Sequence, residues 1–189
     1  HIRTELKAGR QAYVICPRIE EPDPEKETAI QAKSVIEEAK RLKDKVFKDK
    51  RIEILHSKMK PAEKEGVMEA FARHEIDILV ATSVVEVGVN VPNATNIIIE
   101  GAERFGLSQL HQLRGRVIRS NDQAYCFLVS ESKSDKTKER LNAITTAKNG
   151  FELAEFDLTL RGSGELYGAK QSGLTDLGME ALKKSYQPD

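Results

Sequence analysis

The sequence predicts an α/β protein: a parallel sheet with helices on both faces over residues 1–132, then a helical hairpin and an extended loop over 133–189. Two observations carry this. Short apolar runs alternate with segments of helical period, the pattern of parallel strands joined by helical crossovers. After Ser130 that alternation stops, and a charged helical pattern followed by a glycine-rich stretch replaces it.

Each element has its own signal. The opening HIRTELKAGRQ reads as a helix already under way, so the chain looks like a piece of something longer, incomplete at both ends. QAYVIC (11–16) is an apolar run ended by Pro17 and reads as a buried strand. RIEEPDPEKE, rich in proline and acid, reads as an exposed loop. From Thr28 to Val46 the apolar positions Ala32, Val35, Ile36, Ala39, Leu42 and Val46 fall at helical spacing, with Lys and Glu on the other face. RIEIL (51–55) alternates as a strand does. Pro61 opens the next helix, where its missing N–H costs nothing, and Val67, Met68 and Phe71 mark the buried stripe. IDILVATS and TNIIIEG are two further strands. A polar helix near 107–114 precedes a last apolar run, AYCFLVS, which reads as a buried strand. ESKSDKTKERLNAITTAKNG is a charged helix with Gly150 as the residue that ends it. FELAEFDL makes a second short helix antiparallel to it. TLRGSGELYGAKQSGLTDLG holds five glycines among polar and basic residues, too many for regular structure.

Composition sets bounds. The 30 Lys and Arg balance the 30 Asp and Glu, so the formal net charge is zero and any anion site must be local. At 39% hydrophobic the chain can bury one good core. Two cysteines and no Trp do not make a disulfide framework, and Cys16 and Cys126 read as reduced core thiols. No apolar run approaches the ~18 residues that cross a bilayer, and no signal peptide is visible. The expectation is a soluble, cytoplasmic, monomeric chain without a membrane partner.

Ligands of open α/β sheets bind outside the carboxyl ends of the strands. Three segments answer to that rule: LHSKM (55–59), ATSVVEVGVNVP (81–92) and HQLRGRVIRSN (111–121). In the second, the hydroxyls of Thr82 and Ser83 and the N–H groups of a following helix suit a phosphate, and Gly88 lets backbone approach a ligand closely. A strand-to-helix turn with ordinary caps accounts for the same residues. In the third, Arg116 and Arg119 could both fork onto one polyphosphate. A solvated basic turn is the alternative, and Arg114 reads as a helix-surface charge.

The order of these segments is more specific than any one of them. VATSVVEVGVNVP followed by ERFGLSQLHQLRGRVIRS resembles motifs V and VI of superfamily-two helicases, with Gln112, Gly115, Arg116 and Arg119 on the motif VI pattern. EGAERFGLSQLHQLRGR and LRGSGELYGAKQSG narrow the resemblance to RecG-like ATP-dependent DNA helicases, and next to the Mfd-like transcription-repair translocases. The resemblance covers nearly the whole chain. It implies the second of two RecA-like motor domains over 1–132 and a translocation motif over 133–189.

It also implies roles. Arg116 and Arg119 match the arginine fingers that stabilise a transferring phosphoryl group, and Gln112 the glutamine that links nucleotide to motor. Glu86, Gly88 and Asn90 match motif V positions near the nucleotide. Thr82 and Ser83 match contacts to the DNA backbone, and His56 and Lys58 fall in another strand-end segment near DNA. Arg140 matches the first hairpin helix, and Arg161 and Gln171 the loop, in coupling ATP turnover to movement on duplex DNA. The implied cofactor is ATP with Mg²⁺. The phosphate-cradling loop and the acids that hold the metal are absent from this sequence, and belong to a first motor domain. Implied partners are branched or duplex DNA, that first domain and an N-terminal wedge domain.

The sequence departs from the family at four positions: Ile118 and Ser120 stand where glycine is usual, Asn90 where Asp is frequent, and Ser57 where glycine is common. A β-branched residue disfavours positive φ, so Ile118 would misaim Arg119 if the loop were left-handed there. The expected function is the C-terminal motor domain of a helicase that remodels branched DNA in repair and recombination, inactive as an ATPase alone. The alternatives are the equivalent region of a transcription-repair coupling translocase and a non-catalytic DNA-binding module.

Overall fold

The protein is described from a computed structural model, in which residues 1–17, 35–82, 91–118, 122–147, 149–156 and 159 are described. The central strand is β1, Gln11–Cys16, every residue of which is buried. It pairs in parallel with β3, Ile78–Thr82, on one side and with β4, Ala94–Ile99, on the other. The outer positions belong to β2, Ile52–Leu55, and β5, Tyr125–Leu128, giving a five-stranded parallel sheet in the order β2-β3-β1-β4-β5.

Because β-strand side chains alternate between faces, the sheet feeds two cores. Tyr13, Ile15, Leu79, Ala81, Ile97 and Ile99 face one side. Against them pack Met68 and Phe71 of α3 (Pro61–Ala72), Leu107, Leu110 and Leu113 of α4 (Leu107–Arg114), and Ala143 and Ile144 of α5 (Asp135–Thr146). Ala12, Val14, Cys16, Ile78 and Val80 face the other side. There they meet Leu6 of α1 (Ile2–Lys7) and Val35 and Leu42 of α2, which is described over 35–46 and closes in a π-helical turn, Leu42–Val46. The result is a helix–sheet–helix sandwich.

Of the buried polar groups, Gln11 has assigned partners, whereas the Thr82 hydroxyl and Asn96 Oδ1 have none among the described residues. Gln11, fully buried at the start of β1, donates from Nε2 to the carbonyls of Phe71 and Ile76, both at 2.7 Å. It thereby ties the last turn of α3 (Phe71) and the segment after that helix (Ile76) to the start of β1. Gly101 takes φ 58° after β4, and a Cβ there would stand 3.0 Å from Pro17 Cγ. The chain turns at this point because Gly101 alone tolerates both constraints.

The structure revises four sequence expectations. Ile36 is 48% exposed, since the buried stripe of α2 runs through Val35 and Leu42 and Ile36 sits beside it. The last strand is half-buried throughout, because it lies at the sheet edge with β4 as its neighbour. Cys126 is consequently a half-buried thiol, whereas Cys16 is a core one; burial still pushes Cys126 up to about 11. Gly150 does not end the charged helix. That helix ends at Ala147 with extended backbone, and Asn149 Oδ1 accepts from the Glu152 N–H at 3.0 Å. Asn149 thus caps a new helix, α6, over 150–156, with Gly150 in its first turn. The Gly-rich stretch lies outside the described residues.

Candidate functional site

Two groups of the proposed residues can be placed. The first is at the carboxyl edge of the sheet. Leu55 pairs with Ala81, and Cys16 with Thr82, so the register sets His56 beside Thr82 at the ends of neighbouring strands. Thr82 is 1% exposed and its hydroxyl has no hydrogen-bond partner among the described residues. His56 is half-buried, and its Nδ1 is also buried without a partner among the described residues. A tight turn follows, with the Met59 N–H on the His56 carbonyl at 3.2 Å and Lys64 Nζ on the Ser57 carbonyl at 3.0 Å. Burial, and then the charges of Lys58 and Lys64, hold the His56 imidazole below its ordinary pKa, so it is neutral at neutral pH. Lys58 is exposed. Two orphaned polar atoms flanked by lysines are the chemistry of an anion contact in which His56 and Thr82 supply hydrogen bonds and the lysines supply charge.

The second group lies on α4 and the turn after it. The Gly106 N–H donates to Gln109 Oε1 at 2.9 Å, which caps the helix start. Leu107, Leu110 and Leu113 bury one stripe, so Gln112 is turned outward and is exposed. Gly115 ends the helix at φ −64° and the turn continues, with the Arg116 N–H on the Leu113 carbonyl at 3.0 Å. Arg116 is partly exposed, and neither it nor Gln112 makes a side-chain hydrogen bond to a described residue. Ile118 is 61% exposed. Among the described non-glycine residues the left-handed region is occupied by His74 alone, at φ 66°, so Ile118 is not strained there.

Arg114 differs from its sequence-based assignment. Its Nη1 donates to the carbonyls of Ile144 at 2.5 Å and Ala147 at 3.1 Å, both at the carboxyl end of α5. It is an interhelical contact and not a surface charge. No local pattern could have shown this, because the partners are 30 and 33 residues away in sequence. Arg140, on α5, donates from Nη1 to the Glu103 carbonyl at 3.1 Å and from Nη2 to the Phe105 carbonyl. It therefore reaches back to the segment that opens α4.

The register sets His56 beside Thr82, whereas Arg140 bonds the segment before α4, and Arg114 and Arg116 lie at the other end of that helix, with Gln112 exposed on it. Ser83, Glu86, Gly88, Asn90, Arg119, Arg161 and Gln171 lie outside the described residues. Among the described residues no group of His, Cys, Asp and Glu is arranged to hold a metal ion, and no helix is long and apolar enough to cross a membrane.

Comparison with known proteins agrees with this architecture. The helicase conserved C-terminal domain family matches residues 1–121. The chain is 50% identical over 181 residues to the ATP-dependent DNA helicase RecG of Synechocystis sp., covering 96% of this chain and 21% of that protein. It is 48% identical over 184 residues to RecG of Staphylococcus aureus, covering 97% of this chain and 26% of that protein. The chain thus spans about a quarter of the length of these relatives. A structure of RecG bound to a three-way DNA junction superposes with a TM-score of 0.70 at 39% identity, over 98% of this chain and 23% of that one. The C-terminal part of the Fun30 ATPase domain shares the fold, with a TM-score of 0.52 at 12% identity over 81% of this chain and 45% of that one. The chain belongs to the helicase conserved C-terminal domain family, as a RecG-like member of it.

Proposed function

We propose that this chain is the second RecA-like motor domain (1–132) and translocation motif (133–189) of a cytoplasmic, RecG-like ATP-dependent DNA helicase that remodels branched DNA. One observation carries the assignment of its chemistry: of the arginines on and after α4, Arg114 is committed to carbonyls of α5, whereas Arg116 is not hydrogen-bonded to any described residue. A guanidinium on such a turn, uncommitted among the described residues, is suited to a phosphate that arrives from outside.

In this reading ATP, when bound at the face shared with a first motor domain, supplies the phosphoryl group whose loss drives the motor. Arg116 stabilises the charge on that group from this side, a role Arg119 shares, and Gln112 ties the nucleotide to the domain. Glu86, Gly88 and Asn90 approach the nucleotide. Mg²⁺ ligands belong to the first domain, and no step here runs through the metal. His56, Lys58, Thr82 and Ser83 hold the DNA backbone, and Arg140, Arg161 and Gln171 couple turnover to movement.

The proposal is tested by ATPase assays of the chain alone and joined to its first motor domain. The chain alone is expected to be inactive, and the joined protein to hydrolyse ATP at a rate that branched DNA raises. A stable, DNA-bound joined protein without turnover would instead identify a non-catalytic DNA-binding module.

A further inference from the structure

Three neighbouring strands begin beside one guanidinium. Arg10 stands directly before β1, Asn93 directly before β4 and Asp122 shortly before β5, and the sheet places these strands side by side. Arg10 reaches from the first strand past the second to the third. Its Nη1 donates to Asp122 Oδ2 at 2.7 Å and its Nη2 to Asp122 Oδ1 at 2.6 Å, a fork that joins residues 112 apart in sequence. Nη1 also donates to Asn93 Oδ1 at 3.4 Å, which fixes the way the Asn93 amide points. Asn93 Nδ2 accordingly donates to the Gly9 carbonyl at 2.8 Å and to Gln11 Oε1 at 3.2 Å, and lies 2.9 Å from His74 Nε2. The Asn93 carbonyl accepts from the Gln11 N–H at 3.0 Å.

The backbone under Arg10 is held from both sides. Gly9, at φ 83°, follows the end of α1, where its N–H donates to the Leu6 carbonyl and the Arg10 N–H to the Glu5 carbonyl. Gln11 then opens the central strand and is tied to the end of α3. A bidentate guanidinium–carboxylate pair fixes orientation as well as adding energy. This pair is part-exposed, 32% at Arg10 and 42% at Asp122, so it contributes little to stability and serves placement. What it places follows from the sequence. Asn93 comes three residues after Asn90, and Asp122 three residues after Arg119. Three residues of chain span at most about 11 Å, so fixing Asn93 and Asp122 limits where Asn90 and Arg119 can stand.

We propose that Arg10 is a positioning residue that fastens the closing ends of both nucleotide-facing segments, at Asn93 and at Asp122, to the start of β1. The inference rests on the motor reading above for what Asn90 and Arg119 touch. Arg10 acts through those two residues.

The test uses the protein that joins this chain to its first motor domain, with DNA-stimulated ATP turnover and melting temperature measured for each variant. The control is Arg51→Ala, which removes a similar fork from Arg51 to Asp77 at the starts of β2 and β3, away from both segments. Asp122→Ala is expected to lower kcat at least about tenfold, the scale on which small misplacements act, with KM for ATP unchanged. Arg10→Ala is expected to lower kcat likewise and also to raise KM, because it releases Asn93 as well. Arg10→Lys keeps the charge without the fork and is expected to restore melting temperature but not kcat. The Arg10→Ala/Asp122→Ala double variant is expected to match Arg10→Ala, because both residues serve one connection. Unchanged kcat in Arg10→Ala, an equal loss in Arg51→Ala, or additive losses in the double variant overturn the proposal. NMR order parameters on the 189-residue chain, which builds its own two cores, are the independent arm. The Asp122 amide is expected to be rigid, at about 0.85, and to fall below about 0.6 in Arg10→Ala; an unchanged value overturns the clamp. If the unsubstituted joined protein does not hydrolyse ATP with DNA, the motor reading fails and the catalytic role of Arg10 with it, and the order parameters still decide the clamp.

Discussion

His56 and Thr82 stand side by side at the ends of β2 and β3, each with a buried polar atom that meets no partner among the described residues. A buried hydroxyl without a hydrogen bond destabilises the fold that contains it. Its presence at the carboxyl edge of the sheet fits a group reserved for a ligand. Thr82→Val keeps the shape and removes the hydroxyl. It is expected to stabilise the chain by about 1 kcal/mol in urea unfolding, and to weaken DNA binding by the joined motor. A destabilised variant with unchanged DNA affinity would show that the hydroxyl is purely structural.

The pH response of His56 follows from its surroundings. Its folded pKa lies below the unperturbed 6.5, through burial and then Lys58 and Lys64. As pH falls below 6.5 the unfolded chain takes up this proton first, so stability decreases toward the folded pKa and levels off beneath it. Above 6.5 the imidazole is neutral in both states and contributes no slope. NMR titration of the His56 ring should give a midpoint below 6.5, and His56→Gln should remove part of the acid-side loss of stability. A midpoint at or above 6.5 would refute the electrostatic description of this edge.

Gly101 links β4 to α4 at φ 58°, against Pro17. Gly101→Ala adds left-handed strain, which costs roughly 1–2 kcal/mol, and a 3.0 Å approach to the Pro17 ring. A lower thermal midpoint is expected, with weakened order at the start of α4. An unchanged midpoint would mean that Pro17 and the turn relax without cost.

Much of the fold was legible because its signals are local. QAYVIC, IDILVATS and TNIIIEG are short apolar runs flanked by breakers, and each is a strand. The errors arose where neighbours decide. Nothing in AYCFLVS marks it as an edge strand, since that depends on which strands pair with it. Gly150 resembled a helix terminator, but Asn149 claims it for the next helix. Ile118 was an oddity in sequence and is ordinary in structure, because the turn does not use a left-handed residue there. Within the candidate site, Gln112 and Arg116 are proposed from pattern, whereas Arg114 acquires its partners only when α5 folds back onto α4.

The central claim is that Arg116 faces a nucleotide phosphate. The most direct measurement is the DNA-stimulated ATPase of the joined motor with Arg116→Ala, alongside its affinity for ATP. Arginine fingers contribute about 10³–10⁵ to turnover. The account therefore predicts a loss of kcat of at least about 10³-fold with ATP and DNA still bound. Wild-type turnover in Arg116→Ala would contradict it.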